Sequence, residues 1–265
     1  LHTAYRRQRQ MCIRDRDSTS EAIFFIEQVT GHLIPDVRPL LAHGTTGVKE
    51  AILENQEMCQ DERKSYFEAM KISMEALEIL ADRYAALAEE RENRAVLPED
   101  KGRYRLMKET LHKVPRNGAD NLYEAIQSFI LIWQTMCLEQ TPNPFAFSVG
   151  NADRIFEPYR AKTNMSREVA AALLKHLLVF FNVADRSWAI SQNLLIGGKD
   201  VDGKDLTNLT TYALLDAYYD MNLPQPILSV KLHKNTPQEL YESLGRFFFT
   251  PGCLTPVSYT HLTLP

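Results

Sequence analysis

Residues 191–208 read Ser-Gln-Asn-Leu-Leu-Ile-Gly-Gly-Lys-Asp-Val-Asp-Gly-Lys-Asp-Leu-Thr-Asn, a short apolar run set between polar residues and a glycine pair. The run Leu194–Ile196 has strand length, and Asn193 and Gly197-Gly198 end it on either side. The glycine pair marks close backbone packing at a strand end, and Asp202-Gly203 reverses the chain. Working outward, Ile227–Leu232 follows two prolines and forms a second strand, and Phe145–Val149 offers a third. These strands are short and isolated, with helical patterns before and between them and no internal repeat or low-complexity linker. That order predicts an α/β architecture with a helix-rich outer layer and no domain boundary inside it.

The clearest helical pattern is Tyr66–Ala88, where Phe67, Met70, Met74, Leu77, Ala81, Tyr84 and Ala88 form one stripe at three- and four-residue spacing. A second helix covers Tyr104–Lys113 and stops before Pro115. Asn121–Leu138 carries apolar residues on most sides and Arg167–Asn182 nearly all round, so both are expected to be buried. Thr236-Pro237-Gln238-Glu239 reads as a helix start, with Thr236 as cap and Glu239 completing a capping box.

The two ends of the chain are related in another way. Residues 7–16, RQRQMCIRDR, can be written CGG CAG CGT CAG ATG TGT ATA AGA GAC AGG, and the reverse complement translates as PVSYTHLTLP, which is residues 256–265. The element resembles the transposon-end adapter of sequencing libraries, read in opposite directions. Residues 1–16 and 256–265 are therefore expected to be adapter-derived and not native, and residues 17–255 to be a native fragment that begins and ends in mid-gene.

Setting the ends aside changes the charge. Residues 1–16 hold five Arg and one Asp and the last ten residues hold no charge, so the remainder carries 25 basic and 33 acidic residues, a balance of −8 in place of −4. The basic N-terminal arm disappears, and nothing else clusters Lys and Arg with aromatics on one face, which argues against nucleic-acid binding. Cys59, Cys137 and Cys253 are too scattered for a disulfide scaffold or a zinc site and suit a reducing cytosol. The apolar run Leu173–Phe181 is interrupted by Lys175 and His176, so it does not read as a membrane span.

Familiar catalytic motifs are missing. Asp200–Asp205 has the wrong spacing for a calcium loop, no GxGxxG or GK[ST] follows the glycine pair, and neither HExxH nor GxSxG occurs. His176 lies in an apolar helix and reads as a core residue. His32, in Thr30-Gly31-His32-Leu33-Ile34-Pro35-Asp36, belongs to an irregular segment, where functional side chains concentrate. From the residues alone the reading stops at a cytosolic α/β protein.

Several segments, in order, resemble the pyruvate formate-lyase-like glycyl radical enzymes. Gly31-His32, Pro35-Asp36, Leu40-Leu41, Gly44 and Gly47 are similar to the family's early segment, and Arg83-Tyr84-Ala85 with Ala88 to its "RYA..A" helix. Tyr123–Gln127 is similar to its "F.EA.Q" helix, and Ser148, Gly150, Asp153 and Pro158-Tyr159 to its "s.GR.D…PyY" turn. The longest match is Gln192-Asn193, Gly197-Gly198, Asp200, Gly203, Asp205 and Thr207-Asn208, followed by Pro224–Val230 and His233. The segments together cover nearly all of 17–255. Asn151 departs from the pattern, because the family usually has Arg there.

The resemblance implies a helix-rich partial α/β barrel, truncated, in which a Cys loop and a Gly loop would meet at the centre. It implies a thiyl radical that takes hydrogen from a small polar substrate, followed by C–C, C–N or C–O cleavage or loss of water. The thiyl-forming Cys and the radical Gly are expected beyond Thr255; Cys253 does not match the nucleophile. The fragment would bind no cofactor, since the glycyl radical is a modification outside it, and would be inert alone. His32, Asp36, Ser191, Gln192 and Asn193 are the residues carried over as substrate-binding, while Asp205 and Asn208 read as structural. A radical-SAM activating enzyme and a homodimeric full-length protein are the implied partners, with no metal, membrane or nucleic acid. A reading of another class is a non-catalytic α/β binding or scaffold protein that keeps half a barrel without the radical machinery. The inverted ends favour the first, because truncation accounts for the missing residues.

Overall fold

The computed structural model describes residues 33–59, 63–139, 147–183 and 192–260. His32 and Ser191 lie outside the described residues. Four helices come first: α1 (Arg38–Glu57), α2 (Lys64–Arg94), α3 (Pro98–Lys113) and α4 (Leu122–Glu139). The sheet region then runs β1 (Gly150–Asn151), α5 (Ala152–Lys162), α6 (Arg167–Val183), β2 (Asn193–Gly197), α7 (Leu209–Met221), β3 (Ile227–Leu232), α8 (Gln238–Phe249) and β4 (Val257–Thr260). The four strands form one parallel sheet in chain order, β1-β2-β3-β4. Parallel neighbours need long crossovers, and helices supply each of them.

The sheet has two unlike faces. Leu194, Ile196, Leu228 and Val230 point to the rear, are fully buried, and join one cluster with Phe129, Phe156, Leu174, Leu177 and Phe181. Each such side chain contributes about 1.5–3 kcal/mol of burial. The alternate positions point to the front, where Asn193, Leu195, Ile227 and Lys231 are partly buried and Ser229 is buried. α4 and α6 are buried on the rear side because their sequences are apolar nearly all round, and Phe129, Trp133, Phe180 and Phe181 interlock edge to face or tilted. Trp133 Nε1 donates to Phe147 O at 3.0 Å, which ties α4 to the approach to β1.

Several expectations need correcting. The Phe145–Val149 strand is displaced: 145–146 lie outside the described residues, 147–149 form no strand, and pairing begins at Gly150. Thr236 does not cap α8; its Oγ1 accepts from His233 N at 2.8 Å, and Pro237 holds the cap position. In α2 the buried stripe is Leu77, Ala81, Ala85 and Ala88, and Tyr84 sits at its edge, 37% exposed. Residues 257–260, within the segment excluded on its codons, pair in parallel with β3. Such pairing is made by backbone groups and takes little note of side-chain origin.

One glycine sets the first helix against the α3–α4 connection. Gly44 has φ +68° inside α1, and a Cβ there would overlap Arg116 O. The kink lets Thr45 N and Thr46 N donate to Pro115 O and Arg116 O at 2.8 and 3.1 Å. Gly44→Ala is expected to destabilise the chain by about 2 kcal/mol or more, through strain at positive φ plus backbone overlap. Urea unfolding of both proteins measures it, and a difference within about 0.5 kcal/mol would show that the contact is loose.

Candidate active site

A row of hydrogen-bonded polar groups crosses the front of the sheet toward the amino ends of its strands. Ser148 Oγ accepts from Asn193 N at 3.1 Å, and Asn193 Nδ2 donates to Ser229 Oγ at 2.7 Å. The sheet register creates this row, because Leu195 and Ser229 are partners and Asn193 stands two residues before Leu195 on the same face. Ser148 N also donates to Leu33 O at 2.9 Å, so the residue following His32 is fixed on the same row. Gln192 is fully buried beside it, and its carbonyl accepts from Ile227 N at 2.8 Å. Hydroxyl and amide groups of this kind orient a polar substrate by donating and accepting, while none of them titrates near neutral pH.

Asp36 is placed differently. Its carboxylate takes Arg38 Nε and Nη2 at 2.7 and 2.9 Å and is more than half exposed. Hydrogen bonding from that guanidinium holds its carboxyl below the usual carboxylate range. It lines a cavity of about 260 Å³ with Arg38, Asn151 and Arg154 at the sheet edge. Of the five residues carried over from the sequence, Gln192 and Asn193 lie at the polar row and Asp36 at this edge cavity. Ser148 and Ser229 entered the sequence reading only as parts of family-like segments, not as site residues; their place in the row becomes legible once the register is known.

The carboxyl ends of the strands hold a second, more rigid arrangement. Asp153 is fully buried, and its Oδ2 accepts from Gly197 N and Thr211 Oγ1 at 2.7 and 2.8 Å, while Oδ1 accepts from Arg154 N at 2.8 Å. Burial pushes its carboxyl up to about 6, against the lowering effect of those three hydrogen bonds. His233 Nδ1 accepts from Asn235 N at 3.3 Å, so Nε2 carries the hydrogen that faces Asp205 Oδ2 at 2.8 Å. Asp205 also accepts from Thr207 N, and Asn208 caps α7 in a reciprocal box with Thr211. Asp200 Oδ1 accepts from the backbone N–H of Asp202 and Lys204, which makes 200–205 a turn held by its own carboxylate. Among the described residues no group of three His, Cys, Asp or Glu could hold a metal ion, and no helix is long and apolar enough to cross a membrane.

Comparison with known proteins gives this geometry a context. The sequence model of the family described as "Pyruvate formate lyase-like" matches residues 3–260. A (2S)-3-sulfopropanediol dehydratase of Klebsiella oxytoca is 27% identical over 232 residues, covering 79% of this chain and 28% of that protein. A trans-4-hydroxy-L-proline dehydratase of Clostridioides difficile is 29% identical over 193 residues, covering 67% of this chain and 24% of that protein. Among solved structures, the glycerol-bound B12-independent glycerol dehydratase from Clostridium butyricum superposes with a TM-score of 0.77 at 26% identity, covering 88% of this chain and 31% of that one. A structure concerned with 1,2-propanediol dehydration in Roseburia inulinivorans gives the same TM-score and identity over 87% of this chain and 31% of its own. The chain thus spans less than a third of the length of each relative.

Proposed function

The chain belongs to the pyruvate formate lyase-like family, and on that premise we propose that residues 17–255 are one part of a cytoplasmic glycyl radical enzyme, a lyase or dehydratase acting on a small polar substrate. The observation that carries the reading is the polar row Ser148–Asn193–Ser229, on the sheet face opposite the apolar side chains of Leu194, Ile196, Leu228 and Val230. In this reading the front face lines the inside of a barrel completed by polypeptide beyond Thr255, which also supplies the thiyl-forming Cys and the radical Gly. Those residues would take a hydrogen atom from a substrate C–H and return one to the product radical after the leaving group departs.

The part played by this chain is to bind, orient and enclose. Asn193, Gln192 and Ser191 would hold the substrate at the amino ends of the strands, and His32 would handle the proton that leaves with, or is removed from, a substrate hydroxyl. Asp36 would act on that same segment from its ion pair with Arg38. Rigid positioning matters because a carbon radical takes hydrogen from any loose donor that reaches it. Alone, the chain would be inert. The family match extends into both terminal segments, and the assignment of 1–16 and 256–265 to adapter DNA remains our reading of their codons.

The complete gene, recovered past Thr255 and expressed without oxygen beside a radical-SAM activating enzyme, is expected to give a glycyl radical signal by electron paramagnetic resonance. The unextended chain is expected to give neither signal nor turnover. A native stop codon soon after Thr255, or a complete protein that accepts no radical, would overturn the proposal in favour of a non-catalytic binding protein.

A further inference from the structure

We propose that the tip of the α2–α3 hairpin seats in the groove beside it on a second copy of this chain, giving a twofold contact. The groove lies between α2, α3 and α4, with the buried Ala88, Leu111 and Leu131 at its floor and the more exposed Leu87, Met107 and Ile130 at its walls. It holds about 290 Å³, roughly twice the ~150 Å³ that admits a benzene ring. Within its lining Gln134 Nε2 donates to Tyr84 Oη at 3.1 Å. At Arg91 and Tyr104 the groove meets a wider recess at the hairpin tip, lined by Val96 and Leu97. Those two side chains are 89% and 56% exposed, an apolar projection next to an apolar groove.

The projection is preformed. Ala95 N donates to Arg91 O and Glu92 O, Lys101 N donates to Leu97 O, and Pro98 opens α3. A fixed apolar tip loses little freedom when it binds. Charge then singles out the occupant. Among the described residues the Arg91 guanidinium and the Glu99 carboxylate have no ion pair or hydrogen bond, while their neighbours are committed: Glu90 to Arg94, Glu92 to Arg105 and Lys108, and Asp100 to Arg103. Arg91 stands where the groove meets the recess, and Glu99 follows Leu97 by two residues. One surface thus carries a groove with a spare cation and a projection with a spare anion. A twofold axis crossing the hairpin near Arg91 and Tyr104 exchanges them, so that each tip covers the other copy's groove and each Glu99 approaches Arg91 of the partner subunit. An isologous contact counts every such interaction twice. Only α2, α3 and α4 take part, so the contact stands whether or not the proposed reaction does.

Sedimentation velocity of the 265-residue chain across micromolar concentrations tests the contact, and a monomer–dimer equilibrium is expected. Arg91→Glu and Glu99→Arg, each by itself, should weaken association about tenfold or more, since each turns two attractive pairs into two repulsive ones. An equimolar mixture of these two variants should associate as the wild type does, because a mixed pair restores opposite charges at both contacts. Leu97→Asp should also dissociate the dimer, and Leu97→Met, close in volume, should keep it. All three positions are exposed, and thermal melts of the variants check that they fold. A wild type that stays monomeric leaves the groove to another occupant and overturns the proposal. Association that persists in every variant places the contact elsewhere, for instance at the edge strands, and overturns it as well, as does a mixture that fails to recover.

Discussion

His32→Gln is expected to lower turnover of the complete, activated enzyme by about 10² or more, the usual range for loss of a general acid or base. The residue that follows it, Leu33, accepts from Ser148 N at 2.9 Å, and Ser148 is joined through Asn193 to Ser229. That row contains only neutral hydroxyl and amide groups, so a proton at the substrate hydroxyl needs a titrating neighbour. Imidazole is the side chain whose ordinary pKa lies near neutral pH. Gln keeps a polar contact and removes the titration. Glycyl radical content after activation should be unchanged in the variant, which separates a role in substrate chemistry from a failure of activation. Unchanged turnover would remove His32 from the site.

The largest effect on stability is expected at Asp153. Both of its oxygens receive backbone N–H groups, Gly197 on one and Arg154 on the other, with Thr211 as a third donor. In Asp153→Asn the amide NH2 must face one of those N–H groups in either orientation, leaving two donors opposed in a buried place. We expect a loss of about 2–4 kcal/mol by urea unfolding at pH 7. The pH dependence has an unusual sign. The carboxyl is raised from 3.8 to about 6 in the folded protein, so the native state holds a proton that the unfolded state has released between those values. This contribution to stability is present below about pH 4 and is lost as pH rises through about 6, amounting to about 3 kcal/mol. The wild type's advantage over Asp153→Asn should therefore widen as pH falls from 7 to 5. An advantage that narrows over that range would mean the hydrogen bonds outweigh burial and the carboxyl is not raised.

How much of this was legible in the sequence depends on what each element packs against. β3 was read at its observed limits, and α4 and α6 within a residue or so, because continuous burial leaves an apolar run bounded by Pro, Gly or polar residues. α2 runs on to Arg94, beyond its apolar stripe, where ion pairs replace burial: Glu90 with Arg94, and Glu92 with Arg105 and Lys108. α1 and α5 escaped the reading because Gly44 and Pro158 stand inside them and signal a break. α7 escaped for the opposite reason, being buried on so many sides that no stripe remains. At the candidate site, Gln192 and Asn193 were singled out through motif order, but the row that gives Asn193 its neighbours depends on which strand residue lies opposite which. A single sequence does not state that register.

The two ends of the strands carry different duties. Toward the carboxyl ends, Asp153, Gly197, Thr211, Asp205 and His233 are bound to one another and to backbone, so a change there is a change in folding. Toward the amino ends, the half-buried Asn193 and the buried Ser148 are held by a few bonds each. Variation can accumulate at that end without endangering the scaffold, since mutations at separated sites act nearly independently. On the proposed function, the substrate contacts at that end would then be free to change while the fold is kept.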